Sequence, residues 1–177
     1  MKIAKALMIL LAFILLASCM SLNQSLTPGA KTTVDDFDNT IEVIQEPVSA
    51  ANSLSEGWNT LGFRWKSNAP RIVILDVGTQ GIVNISAVHF NIDGDIIQFD
   101  KPASVLTEYG DWSYRRFLMP LEQFRRMANA EVVKMKVIMI DNYTVSSFGR
   151  TENNAIVNGK FRAFLEQVDT QLKKIKK

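Results

Sequence analysis

The stretch that decides the fold is Val83-Asn-Ile-Ser-Ala-Val-His-Phe-Asn-Ile-Asp-Gly-Asp-Ile-Ile-Gln-Phe99. Two runs rich in strand-forming residues flank an Asp-Gly pair, which is a strong hairpin signal because both residues tolerate positive φ. A two-residue loop would place Ile92 opposite Asp95, and it fixes the register of the whole hairpin. We therefore expect one face of the hairpin to be buried in the core, namely Val88, Phe90, Ile92, Ile97 and Phe99.

Short apolar runs separated by turn residues precede this hairpin. Apolar residues that alternate with polar ones, or that occupy both faces of a run, predict three strands. These are Thr40–Gln45 (closed by Pro47), Leu61–Lys66 and Arg71–Val77. The polar segment Ala50–Asn59 should be irregular. Turns are expected at Asn68–Pro70 and at Gly78–Gly81 because glycine and proline interrupt strands there.

The second half of the chain combines strands with two helices. Strands are predicted at Ser113–Met119, Val132–Ile140 and Tyr143–Phe148. Pro120 should begin a short helix over Leu121–Asn129 with Leu121, Phe124 and Ala128 on its apolar face. A longer amphipathic helix is predicted from about Asn154 to Ile175, with Asn153 or Asn154 as its cap. Its apolar face would comprise Val157, Phe161, Phe164, Val168, Leu172 and Ile175.

About seven short strands with two late helices predict an α+β domain built on a mainly antiparallel sheet. The alternative is a β-sandwich with the C-terminal helix packed outside it. Residues 37–177 form a single globular domain on this interpretation, since the sequence shows neither an internal repeat nor a second linker.

The N-terminus has the three parts of an export signal. Lys2 and Lys5 supply positive charge, Ala6–Leu16 is an unbroken apolar run, and small residues follow it. Eleven residues at 1.5 Å each span only about half of a hydrocarbon core of roughly 30 Å, so the run is too short for a resident transmembrane helix.

The tetrapeptide Leu16-Ala-Ser-Cys19 resembles the lipobox of bacterial lipoproteins. The resemblance implies that residues 1–18 are removed, that the Cys19 sulfur receives a diacylglycerol, and that the new amino group is acylated, for example with palmitate. Met20 stands where an Asp would favour retention in the inner membrane, which points to the periplasmic face of the outer membrane. The alternative is an ordinary secreted protein cut near Ala17, with Cys19 as an incidental thiol.

Cysteine usage favours the lipoprotein interpretation. Cys19 is the only cysteine, so an intramolecular disulfide is impossible and a free thiol would be a liability in an oxidising compartment. Several acyl chains anchor a protein stably to one leaflet without crossing it. Residues 19–36 then form the lipidated N-terminus and a flexible tether.

The charge balance argues against nucleic acid as a partner. Residues 1–18 contain two lysines and no acids, and their removal leaves 18 basic and 18 acidic residues. Four of the basic residues lie in the tail Lys173–Lys177, so the remaining body is acidic. A strongly basic nucleic-acid surface is therefore not expected, and the tail should be a solvated end.

The residues that usually carry catalysis or bind metals are scarce. His89 is the only histidine, and the hairpin register turns it towards Gln98 on the polar face. We predict no catalytic residue, no metal site and no cofactor, because the motifs of hydrolases, zinc enzymes and nucleotide-binding proteins are missing. Asp93, Asp95 and Asp100 suit a tight turn better than a calcium loop.

One segment stands out as a candidate binding surface. Tyr109-Gly-Asp-Trp-Ser-Tyr-Arg-Arg116 contains the residue types that dominate binding hot spots, and Arg125 and Arg126 follow it. The candidate binding residues are Tyr109, Trp112, Tyr114, Arg115 and Arg116. The alternative is a strand edge whose aromatic side chains pack inward and whose arginines are solvated.

Three functions remain open at this stage. The first is a non-enzymatic envelope lipoprotein that binds or supports another envelope component, such as a protein, at the membrane surface. The second is a small-ligand or lipid carrier with a pocket between sheet and C-terminal helix. The third is a periplasmic hydrolase built on two carboxylates, which the missing motifs disfavour.

The lipobox makes a prediction about residue 19. Cys19→Ala should abolish fatty-acid labelling and move the protein from the detergent phase to the aqueous phase, since the variant lacks the sulfur that carries the lipid. Metabolic labelling with a fatty acid and detergent phase partitioning measure both effects. Equal labelling of the variant and the wild type would refute lipidation at this position.

Overall fold

The computed structural model describes residues 27–175, which form two antiparallel sheets and two helices. The predicted signal peptide and Cys19 lie outside the described residues. The first sheet contains β1 (Lys31–Val34), β2 (Ile41–Ser49), β3 (Asn59–Lys66), β4 (Ile72–Gln80) and β7 (Trp112–Pro120), in the order β1-β2-β3-β4-β7. The second contains β5 (Ile85–Ile92), β6 (Asp95–Phe99), β8 (Val133–Met139) and β9 (Tyr143–Phe148), in the order β6-β5-β8-β9. The helices are α1 (Leu121–Asn129) and α2 (Asn158–Ile175), which confirms the α+β prediction.

The hairpin at Asp93-Gly94 has the predicted register. Ile92 pairs with Asp95, Phe90 with Ile97 and Val88 with Phe99. Both turn residues have positive φ, 52° at Asp93 and 99° at Gly94. The predicted core face is buried at residues 88, 90 and 92 and half-buried at 97 and 99. The Asp93 carboxylate also accepts the backbone N–H of Val132 at 2.8 Å, which ties the turn to the start of β8.

The two sheets are interleaved along the chain. β7 pairs with β4 over nine residue pairs, although the whole β5–β6 hairpin lies between them in sequence. In the same way β8 pairs with β5, although β6, β7 and α1 lie between them in sequence. Neither sheet is therefore a local unit of the sequence.

Phenylalanine rings from both sheets and both helices meet in one core. The Phe63 ring of β3 stacks on Phe161 of α2 at 4.8 Å between centroids and meets Phe124 of α1 at 5.0 Å. Phe164 of α2 and Phe148 of β9 complete the cluster, at 5.3 Å from Phe63 and 5.8 Å from Phe161 respectively. Because α2 contributes to this common core, the alternative of a sandwich with an external helix does not describe the fold.

The turn predicted at Gly78–Gly81 is wrong for its first three residues. β4 continues through Gln80, and only Gly81 has the positive φ of a turn, at 90°. Gly78 serves a different purpose, since a Cβ there would lie 2.5 Å from Cε1 of Tyr114. The glycine lets an aromatic ring lie directly on the sheet.

The strand end predicted at Pro47 is also wrong. β2 runs on to Ser49 through a register shift between Gln45 and Val48. A bulge tolerates proline because its backbone nitrogen is not needed in the ladder there. The bulge packs against Gly62, where a Cβ would come within 2.8 Å of the Pro47 nitrogen.

The C-terminal helix begins later than predicted. It starts at Asn158 instead of Asn154, and the Asn158 side chain accepts the Gly149 N–H at 2.8 Å and donates to the Glu152 carbonyl at 2.6 Å. Neither Asn153 nor Asn154 therefore caps it. The predicted apolar face is buried or half-buried except at Ile175, which is 47% exposed.

The predicted tether is structured in its described part. Residues 31–34 form β1, and the segment before β1 lies along α2. Lys160 Nζ donates to the Thr27 carbonyl at 2.8 Å, and Gln167 Nε2 donates to the Ala30 carbonyl at 2.6 Å. The ordered body therefore includes residues before 37. This order could not be predicted from a hydrophobic pattern, because polar side chains hold the segment.

The aromatic core makes a prediction about α2. Phe164 is fully buried, and truncating a buried phenylalanine typically costs about 3–5 kcal/mol. Phe164→Ala should therefore lower the free energy of unfolding by roughly that amount, measured by denaturant titration. Lys174→Ala, at an exposed position of the same helix, is the control and should change it by less than about 0.5 kcal/mol. Equal unfolding free energies for the two variants would contradict the placement of α2.

Candidate functional site

An open cleft of about 990 Å³ lies at one end of the first sheet. Its floor and walls come from the end of β2, the start of β3, the start of β7 and two loops, at 50–58 and 149–157. The polar and aromatic side chains of its lining, together with Leu54, are Asn52, Glu56, Trp58, Thr60, Trp112, Tyr114, Asn153 and Asn154. A volume of this size is at the upper end of the range for small-molecule sites.

Aromatic side chains form one wall of the cleft. The alternation of β7 places Trp112 and Tyr114 on the outer face of the sheet, where both are half-buried. Trp58 is 55% exposed, and its carbonyl accepts the Gln80 N–H at 3.3 Å, which fixes its backbone against β4. Leu54 adds an 89% exposed aliphatic side chain. The cleft therefore presents aromatic faces to solvent from a rigid strand framework.

Asn52 holds the two loops of the opposite wall together. Its Oδ1 accepts the Asn154 N–H at 3.0 Å, and its Nδ2 donates to the Glu152 carboxylate. Its own backbone N–H donates to Glu56 Oε2 at 2.8 Å. The first two of these bonds join residues about a hundred positions apart, so the wall is formed before any ligand binds.

Glu56 pins the first loop to the second sheet. Its carboxylate accepts the backbone N–H of Ser147 at 2.9 Å and the Ser147 hydroxyl. Partial burial acts to raise the pKa of Glu56, but the hydrogen bonds from Ser147, Asn52 and Ser53 outweigh it, and the net pKa is lowered. Glu56 is therefore an ionised structural anchor at neutral pH.

Several polar groups in the cleft have no hydrogen-bond partner among the described residues. They include the side-chain amides of Asn153 and Asn154, which are exposed, the indole N–H groups of Trp58 and Trp112, and the Tyr114 hydroxyl. Thr60 on the floor is 8% exposed, and its Oγ1 is buried and unpaired. A buried polar atom without a partner calls for an explanation, because it costs about 1–3 kcal/mol.

The structure separates the binding residues that the sequence predicted. Trp112 and Tyr114 line the cleft, whereas Tyr109 lies outside its lining and is 58% exposed. Arg115 turns to the opposite face of β7, where it donates to the Ile85 carbonyl at 2.7 Å. Arg116 is bound to Asp76 at 2.9 Å and to Glu108 at 3.0 Å. Both arginines therefore make contacts within the fold, and neither lines the cleft.

Trp58, Leu54 and Thr60 were missed by sequence reasoning, because residues 50–59 were interpreted only as an irregular polar segment. A tryptophan and a leucine in a polar loop are a usable signal, since large apolar side chains rarely lie in such a loop without a contact to make. The unpaired hydroxyl of Thr60 has no sequence signal at all.

The remaining candidates have structural partners. His89 pairs with Gln98 as predicted, and its Nε2 lies 2.7 Å from Asp100 Oδ1. Arg125 joins α1 to α2 through Asp169, whose hydrogen bond raises the pKa of the arginine further. Arg126 bonds Asp95 at 2.6 Å. Within residues 27–175, no group of three or more histidine and acidic side chains could hold a metal ion.

A second cavity of about 610 Å³ lies at the far end of α2. It is bounded by the β3–β4 turn, the start of α1 and the last turn of α2, through Pro70, Arg71, Pro120, Leu121, Glu122, Leu172 and Ile175. The 47% exposure of Ile175 shows that this cavity is open to solvent on one side. A carrier pocket was expected between the sheet and the C-terminal helix, whereas this cavity lies among a turn, the start of α1 and the end of α2.

Comparison of the chain with protein-family models, with curated proteins and with solved structures finds no match in any of the three. Neither helix in residues 27–175 is long and apolar enough to span a membrane. Function must therefore be inferred from the chemistry of the chain's own residues.

The role of Glu56 predicts a pH-dependent stability. A lowered folded pKa means that the stabilisation is present above the unfolded pKa and is lost as the pH falls through roughly pH 4 and below. Glu56→Gln should reduce the unfolding free energy at neutral pH by about 1–3 kcal/mol and should weaken its acid dependence. Thermal melts over the acidic pH range measure both effects.

Glu46→Gln is the matched control for this experiment. Glu46 is a surface glutamate, 52% exposed and 3.9 Å from Lys31, and such pairs contribute little. Glu46→Gln should leave the pH dependence of the melting temperature unchanged. If Glu56→Gln leaves it unchanged as well, Glu56 does not anchor the cleft loop.

Proposed function

We propose that this chain is a lipid-anchored, non-enzymatic protein of the bacterial envelope that binds another envelope component in its aromatic cleft. The observation that supports this most directly is the wall of Trp58, Trp112 and Tyr114 on a pre-formed open cleft. Tryptophan and tyrosine dominate binding hot spots because they supply large contact area at low entropic cost.

The anchoring part of the proposal rests on the lipobox at residues 16–19 and on the exit point of the chain. Thr27, the first described residue, contacts α2, and residues 20–26 lie between it and Cys19 in the sequence. Fully extended, this link spans about 25 Å. The body would therefore stay close to the leaflet, at the periplasmic face of the outer membrane.

The non-enzymatic part rests on the state of the carboxylates. A glycosidase-type mechanism needs one carboxyl group with a raised pKa to act as an acid. The pKa of Glu56 is shifted in the opposite direction, and Glu152 is bound by the same Asn52 side chain that holds the loops. The geometry therefore favours holding a ligand over cleaving it.

A small-ligand or lipid carrier is the second candidate, and the cavity beside Leu172 and Ile175 favours it. Its lining includes Arg71 and Glu122, and it is open at the end of the helix. A carrier usually encloses most of its ligand. The aromatic cleft therefore remains the better-supported site.

The proposal predicts that the cleft captures a component of the living envelope. A photo-crosslinking amino acid at Leu54, which is 89% exposed and lines the cleft, should form an adduct of reduced mobility in cells. The same amino acid at Phe37, which is 99% exposed and outside the cleft lining, is the matched control. Adducts are detected on gels after illumination.

A second variant tests whether the cleft itself is responsible. Trp112→Ala combined with the Leu54 crosslinker should remove the adduct, whereas Tyr109→Ala should leave it unchanged. Equal adduct formation from positions 54 and 37, or an adduct insensitive to Trp112→Ala, would show that the cleft does not bind an envelope component.

A further inference from the structure

We infer that the ligand of the cleft is an uncharged oligosaccharide strand, held by stacking of its rings on Trp58, Trp112 and Tyr114. This inference rests on the proposed function, because it assumes that the cleft is the binding site and adds the chemical class of what binds there.

The charges around the cleft select a neutral ligand. Among the described residues that line it, one is charged, Glu56, and no lysine or arginine is present. An anionic ligand such as a phosphate or an acidic peptide would find no cation there. A cationic ligand would have to compete with Ser147 and Asn52 for the carboxylate of Glu56, which is already occupied by their hydrogen bonds.

The aromatic wall fits the shape of a pyranose. Each sugar ring has an apolar face of C–H groups and an edge of hydroxyl groups, and the apolar face packs on an aromatic ring as other amphipathic surfaces do. The cleft offers three such rings, Trp58 at the end of the 50–58 loop and Trp112 and Tyr114 on β7. The volume of about 990 Å³ leaves room for more than one sugar unit.

The polar groups of the cleft match hydroxyl and acetamido groups. The side-chain amides of Asn153 and Asn154 each provide donors and an acceptor, as sugar hydroxyls require. The buried Thr60 Oγ1 has no partner among residues 27–175, and it belongs to a residue of the cleft floor. Thr60 Oγ1 lies over Gly78 beside the Tyr114 ring and is covered by protein, so the exposed amides of Asn153 and Asn154 are the polar groups that a ligand reaches directly.

A peptide strand fits the same site less well. Peptides commonly add to an unpaired sheet edge through their backbone. Here the outer edge of β7 is already occupied by the 103–108 segment. The Ala103 N–H donates to the Arg116 carbonyl at 2.8 Å, and Glu108 exchanges backbone hydrogen bonds with Tyr114 at 2.9 and 2.8 Å. A fatty acid fits poorly as well, because the cleft is open and its loop wall carries amides.

The direct test is titration of the mature lipidated protein in detergent with neutral tetrasaccharides, namely chitotetraose, cellotetraose and maltotetraose. Binding is measured by calorimetry and by tryptophan fluorescence, with the buried Trp65 as the insensitive third indole. At least one tetrasaccharide should bind saturably at concentrations up to about 10 mM, which fills even a site with a Kd of about 1 mM.

Three variants localise the binding. Trp58→Ala and Trp112→Ala should each weaken it at least tenfold, and Asn153→Ala, at an exposed side chain without a structural partner, should weaken it severalfold without any effect on folding. Tyr109→Ala should leave the affinity unchanged. Thermal melts confirm that each variant is folded.

Several outcomes would overturn the inference. They are the absence of saturable binding by all three tetrasaccharides, binding that none of the cleft variants weakens, and tighter binding of an acidic oligosaccharide such as a heparin tetrasaccharide. The Leu54 adduct separates this failure from failure of the proposed function. If proteases or lipid extraction remove the adduct and glycan-degrading enzymes do not, the cleft binds an envelope component that is not a sugar. The proposed function then stands, and the oligosaccharide inference is wrong.

Discussion

The packing of Phe63 on Phe161 connects the first sheet to α2, and the geometry of the cleft depends on it. Phe63 belongs to the strand whose first residues form the cleft floor, and Phe161 lies one turn into α2. With α2 fixed, Asn158 holds Gly149 and the Glu152 carbonyl, and the loop that follows Gly149 becomes one wall of the cleft. The cleft is therefore positioned by contacts in the core that lie outside the cleft itself.

Features that depend on local periodicity could be predicted from the sequence. The Asp93-Gly94 hairpin, the limits of α1 and β9, and the buried face of α2 follow from patterns within about twenty residues. Features that depend on distant partners could not. The residues before β1 are held by Lys160 and Gln167, more than a hundred positions away, and Gly78 is explained by Thr60 and by Tyr114, which lies thirty-six positions further along the chain.

The candidate site shows the same division. Its aromatic members on β7 were predicted because tryptophan and tyrosine are distinctive by type, but the contacts of the arginines depend on partners elsewhere in the sequence, a backbone carbonyl for Arg115 and two acids for Arg116. Arg116 belongs to a chain of opposite charges across the outer face of the first sheet, which runs Lys66, Glu42, Arg64, Asp76, Arg116, Glu108. Composition cannot reveal which acid a basic side chain will meet, and for this reason the predicted aromatic–arginine surface was divided by the fold.

The interleaved sheets have a consequence for the time course of folding. β4 cannot complete its pairing until β7 has been made, and β5 must wait for β8, so most of the contacts that define the core join residues far apart in sequence. Domains with such high contact order fold slowly, because the entropy cost of closing long loops comes before the stabilising contacts form. In the lipoprotein that we propose, slow folding would keep the newly made chain unfolded until it has crossed the membrane. The topology that shapes the cleft is therefore compatible with the proposed export.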